Sequence, residues 1–140
     1  MVTNRELIQA AVGSLRRLRR SDGARFGNVA AAVASSSGKI YVGVNLFTPA
    51  GAANICAEKT AIAAMITAGD YEPEKVVAVW RSAQGGETHV VPPCGWCREF
   101  IAQVQPPGWD TSVVVGVDSQ MSLSKLLPAN SWPWTPIQLT

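Results

Sequence analysis

The chain has 140 residues, of which 47% are hydrophobic and 16% charged, and its formal net charge is +2. These values are typical of a globular protein with one domain, residues 1–140, and they exclude a disordered chain or a strongly basic nucleic-acid-binding tail. A helical membrane span is excluded because no run of about 18 apolar residues occurs. The three cysteines are an odd number, which argues against a disulfide framework, so we expect a cytoplasmic protein with no membrane or nucleic-acid partner.

The first part of the chain predicts a helix and then a β-hairpin. Thr3 and Glu6 have capping-box spacing, and apolar residues follow with a period of 3.6, so residues 3–19 are predicted to form an amphipathic helix. Strands are predicted at residues 29–34 and 40–44, joined by a serine-rich turn. A basic cluster near the end of the helix predicts a solvated helix terminus, with a phosphate or nucleic-acid site as the alternative; it consists of Arg16, Arg17, Arg19 and Arg20.

The remaining chain predicts three helices that alternate with two strands. Strands separated by helices need crossover connections, so the sequence predicts an α/β protein with a mixed sheet and helices on both faces. Trp132 and Trp134, in the C-terminal tail, are expected to lie at an oligomer interface or over a pocket. The predicted helices are residues 56–68, 94–104 and 122–127, and the predicted strands are residues 76–80 and 113–117.

All three cysteines lie at predicted helix starts, with Cys56 opening one helix and Cys94 and Cys97 in the first turn of the next. The partial positive charge of a helix N-terminus favours the thiolate form, which is the form that binds metals. Two cysteines three residues apart can hold one ion from a single turn. A third cysteine completes a set of soft donors that favours zinc over magnesium, calcium or manganese, and three protein ligands are typical of a catalytic zinc with one open position.

Glu58 follows Cys56 by two residues, so its carboxylate can reach a water molecule at the open position without binding the metal. A carboxylate placed there can take and return protons, which is the role we predict for Glu58. Three other interpretations stay open at this point. They are buried cysteines without a metal, a redox Cys-x-x-Cys pair, and a closed structural site completed by His89.

Residues 56–58, which read Cys-Ala-Glu, and residues 93–97, which read Pro-Cys-Gly-Trp-Cys, resemble the zinc signature of the cytidine deaminase superfamily. Residues 38–45 are similar to the hairpin of that family, and residues 126–128 are similar to its C-terminal segment. The resemblance implies a three-layer α/β/α sandwich around a mixed sheet of about five strands. Because the sequence pattern gives four strands, we expect a further strand near the C-terminus.

The resemblance also implies roles for residues that bind the substrate. The backbone N–H of Ala57 is expected to bind the ring carbonyl, Phe26 to stack on the base, and Asn45 to hold the sugar. Phe47 stands where cytidine deaminases carry a second ribose-binding residue, a glutamate. It is therefore as readily explained by hydrophobic packing as by a substrate contact.

Two basic residues adjoin the predicted metal-binding cysteines, Lys59 after Glu58 and Arg98 after Cys97. Zinc with three thiolates carries a net negative charge, which opposes ionisation of a bound water. We therefore expect Lys59 and Arg98 to donate hydrogen bonds to sulfur and withdraw part of that charge.

The resemblance implies zinc-dependent hydrolytic deamination of an aminopyrimidine nucleoside, with cytidine or deoxycytidine giving the uridine form and ammonia. This reaction belongs to pyrimidine salvage, and small deaminases of this branch are homotetramers, which we also expect here. Phe47 and the Leu-Leu-Pro segment are more similar to blasticidin S deaminase, so blasticidin S or another heterocyclic amine is the alternative substrate. A non-catalytic zinc-binding domain and a nucleic-acid editing deaminase are further alternatives.

Overall fold

The computed structural model describes residues 1–82, 84, 86–130 and 137–139, so Trp132 and Trp134 lie outside the described residues. Within that part of the chain no helix has both the length and the apolar character needed to cross a membrane. The helices are α1 (Asn4–Ser14), α2 (Ala57–Thr67), α3 (Gly95–Val104) and α4 (Leu123–Leu126). The strands are β1 (Leu18–Arg19), β2 (Arg25–Ser35), β3 (Ile40–Phe47), β4 (Pro73–Arg81), β5 (Thr88–Val91), β6 (Ser112–Gly116) and β7 (Ser119–Ser122).

The strands form one mixed sheet in which β2 and β4 pair at the centre. β3 pairs with the other edge of β2, β6 pairs with β4, and β7 pairs with β6. Only the β4–β6 pair is parallel among the described strands, because helix α3 connects these two strands as a crossover. β7 is the expected strand near the C-terminus. The short strands β1 and β5, which pair with β2 and β4, were not predicted.

Helices cover both faces of the sheet, which confirms the three-layer α/β/α architecture. Successive side chains of a strand point to opposite faces, so the alternating small residues of β2 serve two cores. Ala30, Ala32 and Ala34 face α1, with Leu7 and Ala11 against them. On the other face, Ala31 and Val33 pack against α2, α3 and α4 in a cluster that includes Ile62, Met65, Ile101 and Leu123.

Helix α1 begins as predicted and ends five residues earlier than predicted. The capping box is present, since the Thr3 hydroxyl accepts from the Glu6 N–H at 3.2 Å and the Glu6 carboxylate accepts from the Thr3 N–H at 2.7 Å. After Ser14 the backbone leaves the helix, and the Arg16 N–H donates to the Gly27 carbonyl at 2.8 Å. Pairing with β2 therefore outweighs the helical pattern of residues 15–19. The arginine cluster follows the helix instead of ending it, so its interpretation as a helix terminus is wrong.

The turn between β2 and β3 is held to the end of α2 by one carboxylate. Asp70 accepts hydrogen bonds from Ser35, Ser37 and Tyr41 at 2.6, 2.7 and 3.2 Å. The hydrogen bond from Ser35, and then that from Ser37, lower the pKa of Asp70 below its ordinary value. The charged form of this side chain thus joins the hairpin to the helix that follows it.

We expect Asp70→Asn to lower the midpoint of thermal unfolding at pH 7. The pKa of Asp70 is lower in the folded than in the unfolded chain, where it is about 3.9, so its stabilisation is complete well above pH 4 and is lost as the pH falls through the folded value. Thermal unfolding of both proteins between pH 3 and 7 tests this. The gap between them should close at acid pH, whereas Glu74→Gln, which removes a carboxylate without a hydrogen bond among the described residues, should leave the midpoint unchanged.

Candidate active site

The site lies where helices α2 and α3 begin. Cys56 is the N-cap residue of α2 and Cys94 is the N-cap residue of α3, each in an extended backbone conformation. Cys97 lies one turn into α3 and is fully buried. The N–H groups in the first turn of a helix have no acceptor within the helix, so both helix starts present partial positive charge to this point.

The three sulfur atoms converge as predicted. All lie within 4.8 Å of one another, and the Cys56 and Cys94 sulfurs are 3.6 Å apart. Tetrahedral zinc with Zn–S bonds of about 2.3 Å requires sulfurs about 3.8 Å apart, so the cluster fits a zinc ion after small movements of the side chains. His89 lies elsewhere, stacked on Trp80 with the ring centroids 5.7 Å apart, and does not complete a fourth position.

The Glu58 side chain is buried beside this cluster, with 6% of its surface exposed. Its Oε2 atom lies 3.5 Å from the Cys97 sulfur, which donates to it. Burial raises the pKa of Glu58, although its own backbone N–H and the Cys97 thiol favour the charged form. A carboxyl group thus stands next to the sulfurs without belonging to the group of three that could hold the ion.

Burial and the neighbouring groups shift the pKa values of the three thiols in different directions. The pKa of Cys97 is raised by burial first and by the Glu58 charge second, and burial also raises the pKa of Cys56. Cys94 is partly buried as well, but the backbone N–H of Cys97 and the neighbouring Cys56 thiol lower its pKa. The three thiols and the carboxyl group lie too close together to ionise jointly on their own. A bound cation would stabilise their charged forms.

A cavity of about 270 Å³ opens over the cysteines and Glu58. Ala57 and Glu58 line it, and so do Asn45 and Phe47 from the end of β3. Their roles in substrate binding and catalysis stay predictions. The remaining lining was not predicted and is mostly apolar, because loop residues enter it from three different connections. It includes Val29, Leu46, Asn54, Ile55, Val91 and Pro92.

The structure does not bring Phe26 to this cavity. The pairing register of β2 shifts between Phe26 and Ala30, and Gly27 has a φ of +91° in this irregular stretch. Val29 consequently lines the cavity, while Phe26 lines a separate pocket and lies under the guanidinium of Arg20, 5.6 Å from its ring centroid. Phe26 therefore does not line this cavity, and its stacking on a base stays a prediction that the position of the ring does not support.

Asn45 lines the cavity, but its amide is largely occupied by the irregular stretch of β2. The Oδ1 atom accepts from the backbone N–H groups of Gly27 and Val29 at 3.0 and 3.1 Å. The Nδ2 atom donates to the Asn28 side chain at 2.9 Å. Because an amide nitrogen carries two hydrogens, one N–H donor remains for a ligand.

Lys59 and Arg98 do not donate to sulfur, in contrast to the expectation from charge balance. The Lys59 ammonium lies over the rings of Trp96 and Phe100, 5.3 and 5.5 Å from their centroids. The Arg98 guanidinium donates to the carbonyl oxygens of Pro93 and Leu126 at 2.9 and 3.1 Å. Both side chains therefore fix the surroundings of α3, and Arg98 does so at the residue before Cys94.

The close approach of β3 to α2 also positions the site. A Cβ atom added to Gly43 would lie 2.3 Å from the Ala61 backbone nitrogen and 2.6 Å from the Thr60 carbonyl carbon. Both are backbone atoms and cannot turn away. The helix that carries Glu58 can therefore lie this close to the strand only because residue 43 has no side chain.

We expect Gly43→Ala to destabilise the protein by about 1–3 kcal/mol or more, since it forces α2 away from the sheet. The shift would also displace Cys56 and Glu58, so zinc content should fall together with stability. Denaturant unfolding and metal analysis measure the two effects. Gly13→Ala, where nothing lies within 4 Å of the added atom, is the control and should raise stability by about 0.5–1 kcal/mol.

Comparison with known proteins identifies the class of protein that this fold and site define. A profile of the cytidine and deoxycytidylate deaminase zinc-binding region matches residues 1–114. The chain belongs to this family of zinc-binding deaminases, and it is a hydrolase of the deaminase class whose cofactor is zinc.

The chain is 28% identical to the blasticidin-S deaminase of Bacillus cereus over 107 residues, which are 72% of this chain and 74% of that protein. It is 36% identical to a probable cytidine deaminase of Dictyostelium discoideum over 72 residues, 51% of this chain and 46% of that protein. The cytidine deaminase structure from Bacillus anthracis superposes with a TM-score of 0.71 at 20% identity, covering 92% of this chain and 89% of that one. The cytidine deaminase structure from Mycobacterium tuberculosis superposes with a TM-score of 0.65 at 24% identity, covering 91% of this chain and 92% of that one. These structural similarities confirm the expected fold.

Proposed function

We propose that this protein catalyses the zinc-dependent hydrolytic deamination of an aminopyrimidine nucleoside or a close analogue. One observation carries the proposal. Three cysteine sulfurs from two helix starts converge within 4.8 Å of one another, beside a buried glutamate, under a cavity of about 270 Å³. Cytidine and deoxycytidine are the first candidates, and the products are the corresponding uridine and ammonia.

Cys56, Cys94 and Cys97 would hold the zinc, which when bound supplies a Lewis acid that lowers the pKa of a water molecule. Glu58 accepts the proton that the attacking water loses and returns it to N3 of the ring. It then takes the proton of the hydroxyl that the water has added to C4 and delivers it to the amino group, so that the C4–N bond breaks, the C4 carbonyl forms and ammonia leaves. The buried position of Glu58 beside the sulfurs supports this role, because a general base must lie within reach of the proton that it moves.

The ring would lie between apolar walls formed by Val29, Ile55 and Val91, which exclude other water molecules from the reaction. At the start of α2, the Ala57 N–H has no acceptor within the helix and would donate to the ring carbonyl. The Pro92 carbonyl would accept from the amino group. Asn45 would use its remaining N–H for the sugar.

A blasticidin S-type substrate is the second candidate, and residue 47 favours it. Phe47 lines the cavity at the end of β3, and its ring cannot accept a hydrogen bond from a ribose hydroxyl. A ribose ring would leave one hydroxyl without a partner, which costs roughly 1–3 kcal/mol when the group is buried. The similarity to blasticidin-S deaminase from Bacillus cereus agrees with this alternative.

Ammonia release from a substrate panel tests the proposal. The purified zinc-loaded protein is incubated with cytidine, deoxycytidine, cytosine and blasticidin S, and loss of the 4-amino chromophore is followed by ultraviolet absorbance. Turnover of at least one nucleoside-type compound is expected, and blasticidin S alone would select the second candidate. Absence of ammonia from every compound, in a protein that holds stoichiometric zinc, would contradict the proposal.

We also propose a homotetramer with small-molecule substrates and no nucleic-acid partner. Large apolar side chains on α2, β3 and α3 are exposed in the single chain, with Trp96 at 65%, Ile66 at 44% and Val42 at 41%. Exposed apolar groups of this size are common at protein–protein contacts. Light scattering should give four times the mass of the chain, and a monomer would contradict this proposal without affecting the proposed chemistry.

A further inference from the structure

A second, smaller pocket lies beside the active-site cavity. Its lining contains no carboxylate but four arginines, which are Arg16, Arg17, Arg19 and Arg25, and it also includes Phe26 and Asn28. We call it the arginine pocket. Its volume is about 30 Å³, against about 270 Å³ for the active-site cavity. A space of this size admits a small group such as a carboxylate or a phosphate oxygen cluster, and it does not admit a second ring.

Arg19 and Arg25 of this pocket carry positive charges that no carboxylate among the described residues pairs with. Arg19 and Arg25 are directly opposite each other in the β1–β2 pair, an arrangement in which like charges are destabilising. Neither forms an ion pair among the described residues, and the nearby Asp22 is already paired with Arg20. Arg16 donates to the carbonyl oxygens of Gly13 and Leu15, which satisfies hydrogens but leaves the charge in place.

The arginine pocket and the active-site cavity share a wall. Arg25 pairs with Phe47 across β2 and β3, and its guanidinium lies over the Phe47 ring, 4.6 Å from the centroid. Asn28 of the pocket accepts from Asn45 of the cavity at 2.9 Å. A carboxylate at position 47 would face Arg25 and neutralise it, so the phenylalanine leaves this charge available at the rim of the cavity.

We propose that the arginine pocket binds an anionic group, a phosphate or a carboxylate, that is attached to the sugar of a substrate whose base lies in the active-site cavity. This inference rests on the proposed function and narrows the substrate class to aminopyrimidine compounds with a negatively charged sugar moiety. Arg19 and Arg25 supply the charge, and planar guanidinium groups donate pairs of hydrogen bonds to oxyanions. Phe47 then serves as the platform under Arg25, in place of an acceptor for a ribose hydroxyl.

A single small pocket favours a substituent of one molecule over a polynucleotide. Binding of a nucleic-acid strand needs a basic groove that follows several phosphates, with aromatic rings between them. Here Arg19 and Arg25 lie opposite each other next to a cavity that fits one base. The charge is therefore placed to select a substrate and not to follow a strand.

The test compares kcat/KM for cytidine, cytidine 5′-monophosphate and cytidine-5′-carboxylate in the zinc-loaded protein at low and at physiological salt. We expect one of the two anions to exceed cytidine by about tenfold or more, which corresponds to one charge-assisted pair of hydrogen bonds, and the better anion identifies the source of the charge. The double variant Arg19→Gln/Arg25→Gln should remove the preference. Arg5→Gln, at an exposed arginine of α1 that lies 3.9 Å from Asp118, should retain it.

Binding measured by calorimetry with the unreactive products uridine, uridine 5′-monophosphate and uridine-5′-carboxylate gives a readout that does not depend on turnover. The anion preferred in turnover should also bind more tightly than uridine by a similar ratio. Deamination of cytidine with no preference for either anion, or a preference that survives in the double variant, would overturn this inference and leave the proposed function intact. Preferential binding of single-stranded DNA through the same arginines would also overturn it. Zinc-loaded protein that releases no ammonia from any compound would overturn the proposed function itself.

Discussion

Replacement of Glu58 by glutamine should reduce kcat by about 10²–10⁴-fold, the range that a positioned proton-transfer group contributes. The amide has nearly the same shape, so it preserves the packing beside Cys97, but it cannot accept and return a proton. Zinc content and the unfolding midpoint should change little, because Glu58 is outside the group of three sulfurs.

Steady-state kinetics and metal analysis on the same preparation separate catalysis from metal binding. Glu99→Gln is the matched control, since it makes the same substitution at an exposed position of α3 where the side chain accepts a hydrogen bond from Gln103. Full activity in the Glu58 variant would contradict the proposed role. A wild-type protein that binds zinc and has no activity with any heterocyclic amine would instead support a structural metal site.

Removal of one cysteine sulfur should abolish zinc binding, because the three thiols together hold one ion. We expect Cys97→Ser to lose stoichiometric zinc and activity together. A ligand that binds only the folded state raises the free energy of unfolding by RT ln(1 + [L]/Kd), which is about 2.7 kcal/mol when the free ligand is in hundredfold excess over Kd. The unfolding midpoint of the wild-type protein should therefore fall when a chelator is added, whereas that of the variant should not respond.

Thiol titration provides an independent readout of this second prediction. The chain has three cysteines, so all thiols belong to the cluster and no other cysteine contributes to the signal. In zinc-loaded protein they should react slowly with a thiol reagent, and a chelator should release all three. Rapid reaction of the three thiols in protein that still contains one zinc per chain would show that the ion is bound elsewhere.

The sequence predicts those features that depend on local patterns. The capping box at Thr3, the helix starts at Cys56 and Cys94, and the hairpin between β2 and β3 each follow from residues within one or two turns of chain. The convergence of the cysteines was also predicted, since all three lie at helix starts and together supply the donor set of one zinc ion. A two-residue strand such as β1 has no periodicity to detect, so the end of α1 was placed too late.

Contacts between distant segments could not be predicted in the same way. The displacement of Phe26 depends on a register shift that only the pairing with β3 reveals. Lys59 contacts an aromatic ring and Arg98 donates to a backbone carbonyl oxygen, and the fold brings both groups near them. Arg25 was not recognised because its importance arises from Arg19 and Phe47 on neighbouring strands. Basic residues on both sides of the Ser-Asp-Gly turn were the available signal.

The separation of the cysteines along the chain has a consequence for the order of assembly. Cys94 and Cys97 belong to the same turn, but Cys56 is 38 residues from Cys94, and closing a loop of that length costs entropy that must be recovered elsewhere. The unfolded chain therefore holds only two of the sulfurs, those of Cys94 and Cys97, close enough together to bind one ion. The third sulfur joins them when β4 has paired in the sheet and helices α2 and α3 have packed against it, so tight metal binding should report completed folding.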